Sequence, residues 1–187
     1  MSKLLVIGFS AGGLPLAQRI VAALPIDYPL PVVIVMHVPA VPDSCTTELL
    51  QQETGLPVAL ASDKARIQPG HVYVAPPGYH VLVERDRHFG LSVDPPVNSV
   101  RPSIDVLLQS AAEAYEHQLI AVILSGANSD GVRGMAVVKE LGGVTIVLDP
   151  LQTEFHVMPT AVVEAVDVDY VASPEEIISL VLAARNE

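Results

Sequence analysis

Ser10, His37 and Asp130 each follow an apolar run, and together they supply a hydroxyl, an imidazole and a carboxylate. A serine hydroxyl is a weak nucleophile near neutral pH until a neutral imidazole accepts its proton. The second imidazole nitrogen then needs an acceptor that fixes its tautomer. The three types together therefore match a nucleophile, a general base and a carboxylate that orients the base. Singly, each has a plainer reading. Ser10 turns the chain, His37 is a hydrogen-bonded histidine at a strand end, and Asp130 caps the helix that follows it. Ser10 lies in Ile7-Gly8-Phe9-Ser10-Ala11-Gly12-Gly13, a sharp turn between an apolar run and a helical pattern. A Gly-x-Ser-x-Gly reading makes Ser10 a nucleophile, a degenerate glycine-rich reading makes the loop a phosphate cradle, and a third reading makes it a turn without chemistry. The chain order Ser, His, Asp differs from the Ser, Asp, His order of the α/β-hydrolase fold, which argues against that fold.

Positioning these groups requires a particular framework, and the chain alternates apolar runs with amphipathic segments throughout. Leu4 to Ile7 reads as a buried strand, followed by a helix near Leu14 to Leu24 with Leu16, Ile20, Val21 and Leu24 at helical spacing. Val32 to Met36 is an unbroken β-branched run that reads as a central strand ending at His37. A helix starts near Asp43 or Ser44, either of which can cap it. From Pro57 to Val93 short alternating runs read as one strand plus an antiparallel hairpin, whose charged tip Glu84-Arg85-Asp86-Arg87 reads as solvated. Ser103 to His117 reads as a helix capped by Ser103, Leu119 to Leu124 as a third apolar strand running into the Ser125–Gly131 loop, and the chain after that loop to about Leu141 as a helix ended by Gly142-Gly143. Val144 to Leu148 is a further strand. An irregular stretch from Asp149 to Pro159 precedes a closing helical portion that includes Glu175 to Ala184.

This alternation predicts an α/β fold: a doubly wound, mostly parallel sheet with helices on both faces and an antiparallel hairpin, as a single domain over residues 1–187. Such sheets bind ligands at the carboxyl ends of their strands, where the strand order reverses. Ser10, His37 and Asp130 all fall at such ends.

Composition narrows the classes of function. Half of the 187 residues are hydrophobic and only 4% aromatic, as expected of buried parallel strands. A formal charge of −11 argues against nucleic acid or an anionic lipid surface as partner. Gly8, Gly12, Gly13 and Pro15 interrupt the first apolar run before it reaches the length of a signal sequence or membrane span. One cysteine, Cys45, forms no internal disulfide, which fits a reducing, cytoplasmic compartment. Cys45 is also an alternative nucleophile near a helix start, against a plainer role in helix packing. His71, His80 and His88 fall in or beside the hairpin region at spacings that match no usual metal-ligand pattern, so no metal is expected.

At these residues the chain resembles the catalytic domain of the chemotaxis receptor protein-glutamate methylesterases. The likeness runs from Ile7–Gly13 through Val33-Ile34-Val35-Met36-His37-Val38-Pro39, Pro69 to Pro76, Arg101-Pro102-Ser103-Ile104-Asp105 and Leu124 to Met135. The resemblance implies hydrolysis of methyl glutamate on receptor helices, with glutamine deamidation as a second activity. It assigns the nucleophile, base and carboxylate to Ser10, His37 and Asp130, and oxyanion donors to backbone N–H groups near Ala11 and Ala127. It further implies no cofactor, and a methylated chemoreceptor or other methylated signalling protein as partner. In the family this domain usually follows a receiver domain. Strand one begins within the first few residues here, so the expectation is an uncovered Ser10, constitutive competence, and any control by a separate partner such as a receiver protein or by substrate supply.

Two segments depart from the family pattern. Where the family usually reads Thr-Gly-Met-Gly-x-Asp-Gly, this chain has Ser125-Gly126-Ala127-Asn128-Ser129-Asp130-Gly131, and Asn128 reaches fewer backbone conformations than glycine. The family's Phe-Gly-Met-Pro is replaced by His156-Val157-Met158-Pro159. Two alternatives accompany the esterase reading. One is a methylesterase-like binding module silenced by the loop changes. The other is a dinucleotide-binding domain, although that fingerprint wants glycine where Ser10 stands and an acid where His37 stands, while Asp27 lies too early.

Overall fold

Runs of Val, Ile and Leu without polar alternation can be satisfied only between two layers, and such runs form the centre of the molecule. A computed structural model describes residues 3–37 and 44–186. In chain order the elements are β1 (Leu4–Phe9), α1 (Leu14–Ala23), β2 (Val32–Met36), α2 (Ser44–Glu53), β3 (Val58–Leu60), β4 (Val72–Val74), β5 (His80–Val83) and β6 (Phe89–Ser92). They continue with α3 (Ile104–Tyr115), β7 (Leu119–Ile123), α4 (Val132–Glu140), β8 (Val144–Leu148), α5 (Val157–Ala165), β9 (Tyr170–Ala172) and α6 (Pro174–Ala183). Every residue of β1, β2 and β7 is buried.

Seven strands form one sheet in the order β3-β4-β2-β1-β7-β8-β9, and all its pairings are parallel. The chain places β2, then the edge strand β3, then β4 between them on one side of β1, and returns to build β7, β8 and β9 on the other. The order thus reverses between β1 and β7, and the crevice beyond their carboxyl ends is where such a sheet receives ligands. Alternate strand residues face opposite layers, as the pleat requires. Leu4, Val6, Val33, Val35 and Ala121 pack with α3, α4, α5 and the hairpin β5–β6. Leu5, Ile7, Val32, Ile34 and Val122 pack with α1, α2 and α6.

The doubly wound architecture is as the sequence predicts, with differences in detail. The region from Pro57 to Val93 holds two strands of the main sheet, β3 and β4, besides the hairpin, which pairs only with itself. The stretch taken as irregular from Asp149 to Pro159 contains a single 3₁₀ turn at Pro150–Gln152 and the start of α5. Pro159 is the third residue of that helix, in the first turn, where a missing N–H leaves no bond unmade. The hairpin tip is not wholly solvated. The Arg87 guanidinium lies 4.3 Å from the Tyr115 ring centroid and donates to Gln118 Oε1 at 2.7 Å. The cap expected at Asp43 or Ser44 falls outside the described residues and side chains, as does the Cys45 side chain. No helix among the described residues is long and apolar enough to cross a membrane.

Candidate active site

β1 ends at Phe9, and the next residue, Ser10, begins the turn into α1. The Ser10 N–H donates to Ser125 O at 2.8 Å and the Leu124 N–H to Gly8 O at 3.0 Å, so the elbow is laced to the loop leaving β7. The turn needs Gly12: its φ is +74°, and a Cβ there would sit 2.5 Å from the Phe155 ring. Helix α1 then starts from Gly13 without any side-chain cap. Neither the Ala11 nor the Ala127 N–H has a hydrogen-bond acceptor among the described residues, so both remain available as donors.

His37 is the first residue past β2, and its N–H donates to Phe9 O at 3.2 Å, which ties it to the end of β1. Its ring is nearly buried, with Nε2 2.8 Å from Asp130 Oδ2. Asp130 follows β7 and its side chain is completely buried. Oδ1 accepts from Asn98 Nδ2 at 2.9 Å, Ser103 Oγ at 2.8 Å and the Asp105 N–H at 3.2 Å, while Oδ2 accepts from the Ile104 N–H at 2.6 Å. Burial pushes the Asp130 carboxyl up, but the donors from His37, Ile104, Asn98 and Ser103 outweigh it and hold the group below its ordinary value. An ionised carboxylate only accepts, so Nε2 carries the imidazole proton and Nδ1 carries the lone pair.

Asp130 caps no part of the helix that follows it. α4 starts from Gly131 without a side-chain cap bond, and Asp130 instead takes the leading N–H groups of α3. Asp105, inside α3, returns the favour: its Oδ1 accepts from Gly131 N at 2.9 Å and Gly134 N at 2.8 Å. Each carboxylate thus sits at the positive end of the other's helix. Asn98 joins them, donating through Nδ2 to Asp105 Oδ2 and Asp130 Oδ1, both at 2.9 Å. It reaches them from a tight turn closed by Val97 and Val100, with φ of 51° at Asn98 and 66° at Ser99. Sequence reasoning missed Asn98 and the role of Asp105. The only signal was an acidic residue two positions after the Ser103 cap.

A cavity of about 400 Å³ is lined by Ser10, His37, Ser99, Val100, Arg101, Pro102 and Asn128. Ser10 and His37 therefore face one space, but no hydrogen bond joins them. Among the described residues the Ser10 hydroxyl has no partner, and His37 Nδ1 lies 3.2 Å from Asn128 Nδ2. A larger depression of about 770 Å³ between the hairpin and α3, lined by Lys64, Glu84, Arg85 and Glu113 among others, contains none of the three candidate residues.

The three histidines in or beside the hairpin region are engaged elsewhere. His71 stacks on Tyr73, and His88 contacts its neighbour Asp86. Buried His80 lies 3.1 Å from Pro95 O through Nε2 and accepts from the Ser103 N–H through Nδ1. It pins the start of α3, a packing role. No group of three or more His, Cys, Asp or Glu among the described residues is arranged to hold a metal ion.

Comparison with known proteins agrees with this architecture. The family described as CheB methylesterase matches residues 5–181. A protein of Leptospira interrogans, provisionally named a protein-glutamate methylesterase/protein-glutamine glutaminase, is 46% identical over 176 residues, covering 94% of this chain and 91% of that protein. A protein-glutamate methylesterase/protein-glutamine glutaminase of Geobacter metallireducens is 36% identical over 99% of this chain, which spans 54% of its length. The crystal structure of the Thermotoga maritima CheB methylesterase catalytic domain superposes with a TM-score of 0.92 at 34% identity, over 98% of each chain. The fold, the strand-end placement of the candidate groups and these matches agree: the chain belongs to the CheB methylesterase family.

Proposed function

We propose that the chain is a serine hydrolase that removes methyl groups from glutamate γ-methyl esters of a methylated chemoreceptor or similar signalling protein in the cytoplasm. The observation that carries this reading is the His37–Asp130 pair, a nearly buried imidazole whose Nε2–H is held by a fully buried carboxylate, opening onto the same cavity as Ser10. In this reading Ser10 Oγ attacks the ester carbonyl while His37 Nδ1 takes its proton. The N–H groups of Ala11 and Ala127 receive the oxyanion. Collapse of the tetrahedral adduct expels methoxide, which leaves as methanol with the proton from His37. Water, deprotonated by the same nitrogen, then frees the glutamate carboxylate. A glutamine side chain passes through the same steps with ammonia as leaving group.

The test is methanol release from a methylated receptor fragment. Wild type should turn over and Ser10→Ala should lose several orders of magnitude in rate. Retention of full activity in Ser10→Ala would show the nucleophile to be misassigned. The Asn128 contact with His37 favours a second reading, a silent binding module, which predicts no methanol from wild type either.

A further inference from the structure

The Asn128 carboxamide has a defined orientation. Its Oδ1 accepts the Asp130 N–H at 3.1 Å in a turn closed by an Asn side chain two residues back, so Nδ2 is the atom that faces His37 Nδ1 at 3.2 Å. The imidazole is thereby fixed from both sides: Nε2–H donates to Asp130, and Nδ1 accepts from Asn128. Nδ1 is the only ring atom able to accept a proton from Ser10, and its single in-plane lone pair is already taken.

We propose that Asn128 is a positioning residue that caps the base nitrogen of His37 and holds Ser10 unactivated at rest, Ser10 gaining that nitrogen only by displacing the amide. The inference rests on the Ser10–His37 reading above. Three further facts support it. The Ser10 hydroxyl has no partner among the described residues, Asn128 and Ser10 line one cavity, and the Asn128 amide is held in place by the Asp130 N–H. The cap costs the enzyme one net hydrogen bond each time Ser10 is activated, which corresponds to about a three- to tenfold slower nucleophile.

The experiment measures the second-order rate at which a small fluorophosphonate labels Ser10 in the full chain. This needs no knowledge of the natural substrate. Asn128→Ser keeps an oxygen for the Asp130 N–H but is too short to reach His37, and Asn128→Gly removes the side chain altogether. Both should label about three- to tenfold faster than wild type. In the same variants the ¹⁵N resonance of His37 Nδ1 should move toward the position of an unbonded imidazole nitrogen. Labelling at the wild-type rate, or an unmoved Nδ1 resonance, would overturn the cap while leaving the esterase assignment standing. Slower labelling would overturn it too, because Asn128 would then be donating to the transition state. No labelling of Ser10 in any of the three proteins would remove the nucleophile reading and the cap together.

Discussion

Asp130 accepts five hydrogen bonds, from His37, Asn98, Ser103, Ile104 and Asp105, and none of its side chain reaches solvent. Replacing it with asparagine keeps the shape but turns one acceptor into a donor facing donors. Breaking such a buried charged network costs about 3–5 kcal/mol, and His37 loses the partner that fixes its tautomer. Asp130→Asn should therefore lower the urea midpoint and cut the hydrolytic rate by orders of magnitude. The sign of its pH dependence follows from the depressed carboxyl. The contribution of Asp130 is fully present above the unfolded value of 3.8 and is lost as pH falls through the lower folded value, so the deficit of Asp130→Asn should be largest at neutral pH and shrink in acid. Asp105 has the opposite sign. Burial first, and the neighbouring Asp130 charge, raise its carboxyl against the N–H groups of Gly134 and Gly131, so its contribution is complete below 3.8 and lost as pH rises through the folded value. Asp105→Asn should gain on wild type as pH rises. Urea unfolding of both variants between about pH 3 and 7 checks the pair, and parallel trends would contradict it.

The exchange of carboxylates between α3 and α4 requires the two helices to touch closely. Gly134 permits this, because a Cβ there would lie 2.5 Å from Leu108 Cβ and 3.3 Å from Asp105 Cα. Helix propensity alone favours alanine over glycine by about 1 kcal/mol. Overpacking a site with no free rotamer costs about 1–3 kcal/mol. With the Cβ as close as 2.5 Å to Leu108 the second term wins, so Gly134→Ala should lower the thermal midpoint by a net loss of up to about 2 kcal/mol. It should also slow Ser10 labelling, since the displaced α4 carries Gly131 and the adjoining Asp130 with it. The elements themselves were legible in the sequence where burial is complete. β2 and β8 match the apolar runs at Val32–Met36 and Val144–Leu148, all five residues being buried in β2 and the last four in β8, because only a strand covered on both faces tolerates such a run of β-branched and aliphatic residues. β3 and β9 were not, since three-residue strands at the sheet edges, partly exposed, lack that composition. The three candidate residues were legible as polar residues just past such strands. Asn98 was not readable as a site residue and Asn128 only as a change of loop backbone, because their side-chain contacts with Asp130 and His37 exist only once separate loops meet.

At the scale of the whole molecule, one sheet separates two apolar layers that hold different parts of the candidate site: α1 leaves the Ser10 turn in one, and α3 holds Asp130 in the other. Helix α3, which supplies the Ile104 and Asp105 N–H groups to Asp130, lies in the layer with the hairpin. The hairpin is joined to α3 by the Val83 N–H to Ser110 Oγ bond at 3.1 Å, and Phe89 is fully buried against Tyr73, edge to face at 4.9 Å. The opposite layer is tied by the Tyr28 hydroxyl, which donates to Val181 O of α6 at 2.9 Å and whose ionisation burial pushes far up. Two substitutions of comparable burial therefore separate the layers. Tyr28→Phe loses one hydrogen bond, about 0.5–1.5 kcal/mol, and should leave Ser10 labelling within twofold of wild type. Phe89→Ala opens a cavity under the hairpin, about 3–5 kcal/mol. That is a large share of the total for a domain of this size. It should also slow labelling at temperatures where the variant is still folded, because the hairpin no longer holds α3 in place. Urea titrations read by far-ultraviolet circular dichroism, with labelling rates measured well below each midpoint, distinguish the two. Equal labelling in Phe89→Ala and wild type would mean that the sheet alone, without the hairpin layer, is enough to hold His37 and Asp130 together.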